Sequence, residues 1–507
     1  MRLDRTGNTK RNIITGEIDR FVGIILPFIV RTMIIHLMGA EYLGLTGLYY
    51  SIVQMLNLAE LGFGTAIVYS MYKPIAENDA RMINALLKFY AKVYRIVGFV
   101  TTLIGLLIMP FLPELVHGDV PGDVNIYLVF LVFLGNSFLN CMLFPNRRAL
   151  LAAHQRDDLN GTAHIITQVV LYGLQILSIG LARSYWLYIL TIPVSTCLYS
   201  CLCARSARLV FGEYREEGEL PEEEYRSIRK QVGGLIIRKT ASLTRNAFDS
   251  MFISAFLGLT VTAVYGNYYY VMDAVVMILA VLKTSMAGGV GNSIAMDGVE
   301  KNLKDMECID FLFMLISGWC AAALLCLIQP FMKLWAGEDM LLPTYMAVTF
   351  AVYFYVLKMS DIRTLYSESA GIWWQMRYLS IAEALANLLM NWIFIRFFGL
   401  FGIIAATLIS YFAFNYVGGA FALYRHYFIG FPLRQYFWRH LRYALVTAGI
   451  TGGTYFICTR IPAEGFMVLI ARGLICALLP PAAYFLVYRK TEEFQGVLPM
   501  IRKLIKR

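Results

Sequence analysis

The feature that most restricts this chain is its supply of long apolar runs. A hydrocarbon layer about 30 Å thick takes about 20 apolar helical residues to cross, and runs of that kind recur from one end of the sequence to the other. Hydrophobic residues make up 58% of the chain and charged residues 15%. Mean hydropathy is +0.60, far from a soluble average. The chain reads as an all-α, polytopic membrane protein with no room for a separate soluble domain. At about 36 residues per span and loop, the 507 residues hold about fourteen helices.

The spans expected are 12–38, 44–72, 82–109, 125–147, 159–182, 185–211, 232–257, 261–291, 306–330, 343–367, 374–396, 400–424, 436–458 and 464–488. The first follows Arg2, Arg5, Lys10 and Arg11 and shows no small-residue cleavage site, so it reads as a retained helix. Loop charge supports a cytoplasmic N-terminus, because short cytoplasmic loops collect Lys and Arg. The segments assigned inside carry Lys73, Arg81, Arg147, Arg148, Arg156, the stretch from Arg205 to Lys230, Lys301, Lys304, Arg377, the stretch from Arg425 to Arg442, and the stretch from Arg489 to Arg507. The outward turns hold mainly Glu41, Glu114, Asp119, Asp123, Glu338, Asp339 and Glu464. Both termini are then cytoplasmic, and the net charge of +10 reflects topology and not nucleic-acid binding.

All nine cysteines fall within expected spans, where they read as small packing residues. Cys201 and Cys203 point to different helix faces and do not suit a shared metal. No phosphate-binding glycine loop, metal-spaced histidine cluster or nucleophile elbow is present in the sequence. No catalytic residue, resident metal or cofactor is therefore expected.

Shifting the chain by 219 residues reveals an internal repeat: "MGAEYLGLTGLYYS" from Met38 aligns with "LGLTVTAVYGNYYY" from Leu257. Gly39 meets Gly258, Gly47 meets Gly266, Tyr49 and Tyr50 meet Tyr268 and Tyr269, and Ile75 and Ala76 meet Ile294 and Ala295. Six spans separate the copies, so both run in the same direction. They predict two six-helix lobes related by a pseudo-two-fold axis along the membrane normal. The lobes are expected at 1–211 and 232–430, with a linker at 212–231 and two added helices with a basic tail at 431–507.

In the linker, Pro221 can open a cytoplasmic interfacial helix with Glu222 to Glu224 in its first turn. In the tail, Leu498, Ile501 and Ile505 alternate with Arg502, Lys503 and Lys506, a pattern suited to the inner membrane surface.

Charges inside the spans carry the most functional information, because each costs about 2.5–3.5 kcal/mol at mid-helix. Arg238, Ser242, Arg245 and Asp249 line one face of span seven, flanked by Lys239 and Asn246. Span one holds Glu17, Arg20, Pro27 and Arg31. Span eight holds Asp273 and Lys283, and span ten holds Lys358, Asp361 and Glu368. Such faces turn away from lipid and suit a water-filled cavity between lobes. There Arg31, Arg238, Lys239, Arg245, Lys283 and Lys358 outnumber Glu60, Asp249, Asp273 and Asp361. A basic cavity attracts an anion, and the arginine fork suits phosphate oxygens. The plainer alternative is that pairs such as Arg245 and Asp249 only neutralise each other inside the bundle.

The stretch "YLGLTGLYYSIVQMLNLAELGFGTAIVYSMYKPIAENDARMINALLKFY", 42–90, resembles the first-loop and second-helix region of bacterial polysaccharide or oligosaccharide flippases. These belong to the multidrug/oligosaccharidyl-lipid/polysaccharide exporter superfamily. The resemblance extends to "RNAFDSMFISAFLGLTVTAVYGNYYYVM", 245–272. It implies twelve core helices plus two, placed in the bacterial inner membrane. It also implies alternating-access flipping of an undecaprenyl-diphosphate-linked oligosaccharide from the inner to the outer leaflet. The partners it implies are that lipid-linked sugar, membrane lipids, a polysaccharide polymerase and glycosyltransferases.

The substrate-contact candidates are Arg31, Arg238, Arg245, Asn246, Lys283 and Lys358. Glu60, Asp249, Asp273 and Asp361 are candidates for helix pairing or for coupling to a proton or sodium gradient. Glu60 has three readings: a partner for Arg31, an ion-coupling site, or a carboxylate reaching water beside a Gly-x-Gly that permits close packing. A multidrug antiporter of the same fold would favour an acidic cavity. A membrane glycosyltransferase or polymerase would need a larger outward loop, and a non-transporting assembly scaffold is the remaining alternative.

Overall fold

The computed structural model describes residues 5–118, 120–226, 228, 247–372, 374–461 and 465–497, leaving aside the side chains of 5–10, 13, 58–62, 65 and 66. Among the described residues there is no strand. The chain divides into two compact units, Met1–Ala263 and Val264–Arg507.

The first unit contains α1 (Arg5–Leu37), α2 (Ala40–Leu56), α3 (Leu58–Glu77), α4 (Ala80–Ile108), α5 (Ile126–Met142), α6 (Pro145–Ala153), α7 (Asp157–Gly180) and α8 (Tyr185–Val210). A short apolar helix, α9 (Ala247–Leu257), follows. Helix starts follow local chemistry. Asp79 accepts from the Met82 amide at 3.0 Å to cap α4, and Asn125 accepts from the Tyr127 and Leu128 amides to cap α5. Pro145 opens α6 after a 52° bend. The linker is extended or turning until Pro221, after which 222–226 are helical, where the sequence places a helix start.

The second unit holds α10 (Leu259–Met296, whose first turn belongs to the first unit), α11 (Val299–Ala336), α12 (Thr344–Met359) and α13 (Asp361–Ser369). It continues with α14 (Arg377–Ser410), a π-helical stretch (Tyr411–Gly418), α15 (Gly419–His426), α16 (Leu433–Thr459) and α17 (Phe466–Tyr488). Gly399, at φ 55° and ψ −136°, breaks α14 into two limbs where the sequence separates spans eleven and twelve.

Seven described helices are long and apolar enough to cross a membrane, and the bent pair α5 and α6 makes an eighth. The chain is thus an all-helical, multi-pass membrane protein. The other expected spans fall on the charged α1 and α16, the broken pairs α2 with α3 and α12 with α13, the second limb of α14, and a segment reaching outside the described residues. On α4, Phe99, Leu103 and Leu107, one turn apart, are 62%, 60% and 65% exposed. That is the apolar stripe a lipid-facing helix presents.

The repeat is visible in the helix boundaries. Ala40, Glu77 and Ala80, shifted by 219, become Leu259, Met296 and Val299, the start of α10, its end and the start of α11. Gly39 and Gly258 precede the two starts at φ 129° and 90°, conformations that L side chains rarely adopt. The copies differ at Asn57. There α2 ends and α3 begins, whereas α10 runs unbroken. The expected single span 44–72 is therefore two helices, because the Asn57 side chain takes a hydrogen bond from Ser137 Oγ at 2.7 Å and lies at a helix junction. Span 343–367 is likewise divided at Ser360, whose hydroxyl bonds the Leu357 carbonyl and pairs with Tyr411 Oη.

Candidate functional site

In the first unit, α1 packs along α7 through small and polar residues. Asn12 bridges to Gln155 and Asp158, Asp19 meets His164 at 2.7 Å, and Gly161 lies against Thr15. This seam holds the helix that carries Arg31. Arg31 is half-buried, three turns above Asp19, and interacts electrostatically with the buried Tyr188 of α8. Glu17 and Arg20, read as part of an inward polar face, instead pair with each other at 3.2 Å on a surface about two-fifths exposed. An i,i+3 pair of that kind satisfies itself without needing a cavity. Glu60 lies on α3, but its side chain is outside those described, as are Arg238, Lys239, Ser242, Arg245 and Asn246. Asp249 on α9 is 1% exposed.

The second unit brings four sequence candidates together. Lys283 comes from α10, Lys358 from the last turn of α12 and Asp361 from the first turn of α13. The Lys283 Nζ to Asp361 Oδ1 distance is 3.8 Å, and Lys358 Nζ forms an ion pair with the other oxygen, Oδ2. Asp273, two to three turns earlier on α10, interacts electrostatically with Lys358. Lys358 and Asp361 are three residues apart across the junction at Ser360, and Lys283 from α10 completes the group. Each ammonium has three donors, so the group can hold both its own carboxylate and the oxygens of an incoming anion.

Below it lies a polar layer that the span-by-span charge census missed. Arg363 is fully buried, and its Nη2 donates to Asn415 Oδ1 at 2.6 Å and Thr364 Oγ1 at 2.9 Å. Asn415, in the π-helical stretch, donates to Glu383 Oε2 at 3.4 Å, so an amide bridges a buried guanidinium and a buried carboxylate. Glu383, Asn387 and Asn391 follow at intervals of four on α14 and are all buried. Asn387 reaches Thr407 and Ser410 on the second limb. A four-residue spacing of polar groups in an apolar span is the signal that would have found them. Further along, Asp310 meets His440 at 3.3 Å, His440 Nδ1 lies 2.6 Å from Tyr416 Oη, and Arg439 pairs with Glu307 at 2.6 Å.

No protein-family model and no curated protein matches the chain. Solved structures do. An inward-facing multidrug resistance MATE family transporter of the MOP superfamily aligns over 82% of this chain and 98% of its own, at 13% identity and a TM-score of 0.65. The chain has the fold of the MOP superfamily transporters. The lipid II flippase MurJ, in an inward closed conformation, aligns over 94% of this chain and 98% of its own, at 13% identity and a TM-score of 0.68. A Pyrococcus furiosus MOP superfamily transporter, described as having a binding pocket of reverse polarity that suggests a different function, aligns over 82% and 95% at 14% identity and a TM-score of 0.56. The structures named include a multidrug transporter and a lipid flippase.

Proposed function

We propose that this protein is a flippase that carries an undecaprenyl-diphosphate-linked oligosaccharide from the inner to the outer leaflet by alternating access. The observation that carries the reading is the reach of the fold match. The multidrug transporter accounts for 82% of the chain and the lipid II flippase for 94%. The basic excess among the intramembrane charges supports the same reading, since a lipid diphosphate is an anion whose hydration must be replaced by fixed donors.

In this reading the lobes are 1–211 and 232–430, joined by the linker 212–231 and followed by an appendage at 431–507. Arg31, Arg238, Arg245, Asn246, Lys283 and Lys358 hold the diphosphate and its first sugars. Glu60, Asp249, Asp273 and Asp361 are where a proton or sodium gradient would couple to the cycle. The protein works in the bacterial inner membrane with both termini in the cytoplasm, receiving its cargo from glycosyltransferases and delivering it to a polymerase.

A multidrug cation antiporter is the competing reading, favoured by the match to the MATE transporter. The discriminating experiment is deletion of the gene with extraction of labelled undecaprenyl-linked sugars. The flippase reading expects lipid-linked oligosaccharide to accumulate on the inner leaflet and the surface polymer to disappear. Loss of drug resistance alone overturns it.

A further inference from the structure

Three cysteines far apart in sequence meet inside the second unit. Cys326 on α11, Cys458 on the last turn of α16 and Cys476 on α17 are 0%, 0% and 2% exposed. Their Sγ atoms all lie within 4.8 Å of one another, and all three are free thiols. Three thiolates around one metal at bonds of about 2.3 Å sit about 4 Å apart, so little movement would close the set. Each sulfur comes from a different helix, and packing alone does not require three thiols to converge.

A cation lies beside the cluster. Arg472, one turn before Cys476, sends Nη1 to the Cys326 carbonyl at 3.3 Å and interacts electrostatically with both Cys458 and Cys476. Its Nε is buried with no hydrogen-bond partner among the described residues. Trp319 Nε1 holds the Cys476 carbonyl at 2.7 Å, fixing the α17 backbone beside the cluster. The neighbouring side chains Ala323, Leu327, Tyr455 and Ile475 are apolar or aromatic and help keep water out.

We propose that Cys326, Cys458 and Cys476 form a thiolate site for a soft monovalent metal ion, Cu(I), that fastens α16 and α17 to α11. Soft sulfur ligands select such ions. Zinc in structural sites asks for a fourth, tetrahedral ligand, and no histidine or carboxylate joins the three sulfurs among the described residues. Binding releases three thiol protons to solvent, and the Cu(I) ion on three thiolates carries two negative charges, one of which the Arg472 guanidinium offsets.

The test is anaerobic titration of the purified, detergent-solubilised protein with Cu(I) against a chromophoric Cu(I) chelator, read as bound copper per chain and as the near-ultraviolet thiolate-to-copper band. One competition-resistant copper per chain is expected. It should be lost in Cys326→Ser, Cys458→Ser and Cys476→Ser, weakened in Arg472→Met, and retained in Cys201→Ser and Cys203→Ser. Cys476→Ala, which keeps a small apolar side chain, should stay monodisperse and still lose the band. Equal copper retention by the parent and Cys476→Ala overturns the proposal. So does a disulfide between two of the three cysteines in protein isolated under reducing conditions, or uptake of Zn(II) in preference to Cu(I).

Discussion

Lys358 and Asp361 form a salt bridge across the break at Ser360, joining the end of α12 to the start of α13. Lys358 is 2% exposed, and Lys283 approaches the other oxygen of the same carboxylate. One anion thus serves a buried cation and a partly exposed one. Removing the anion should be worse than removing either cation. Asp361→Asn leaves both lysines without their shared partner, an effect of about 3–5 kcal/mol for a broken buried pair. Lys358→Met leaves Asp361 with Lys283 and should cost less. Thermal unfolding in detergent of the two variants checks the order, and equal destabilisation would show that the pair is not what secures the junction.

Gly419 lies against Arg363 so closely that a Cβ there would clash with Nη1. Gly419→Ala must therefore displace the guanidinium and its bond to Asn415, costing about 1–3 kcal/mol by overpacking. In a double-mutant cycle the penalty should shrink on an Arg363→Ala background, because the clashing atoms are gone. Strict additivity would place the strain elsewhere.

Arg31 tests the substrate side of the account. Arg31→Ala should insert at the parental level, since losing an intramembrane charge makes insertion easier, yet abolish polymer export. Arg31→Lys should rescue export in part if a point charge suffices and hardly at all if a bidentate fork is needed. Export by normally expressed Arg31→Ala at the parental rate would make Arg31 structural. The same comparison at Arg245 asks whether the equivalent helix of the second copy shares the load.

Much of the architecture is legible in the chain because lipid leaves the backbone few choices. The repeat register at 219, read from glycines and tyrosines, reappears as coincident ends of α2 with α3 and of α10. The gap between spans 374–396 and 400–424 reappears as the break at Gly399, and Pro221 stands before a helix start as its chemistry dictates. The junctions at Asn57 and Ser360 are not legible, because each depends on a tertiary partner, Ser137 or Tyr411, that sequence spacing does not identify.

The candidate site was legible in part for the same reason. Lys283, Lys358, Asp273 and Asp361 stand out as charges in apolar spans. Arg363 is not among the sequence candidates, and its buried setting among Asn415, Glu383 and Gly419 is assembled from three other segments. The cysteine trio is the extreme case. Its members are 132 and 18 residues apart, and each alone reads as packing.

Movement of a lipid-linked diphosphate can be followed as flipping in proteoliposomes. A fluorescent undecaprenyl-diphosphate oligosaccharide is placed in both leaflets, and the fraction that becomes accessible to a membrane-impermeant quencher is followed with time. Protein-dependent exchange is expected, lost in Arg31→Ala and unaffected by organic cations. Exchange no faster than in protein-free vesicles, together with proton-driven uptake of an organic cation by the same preparation, would contradict the flippase reading.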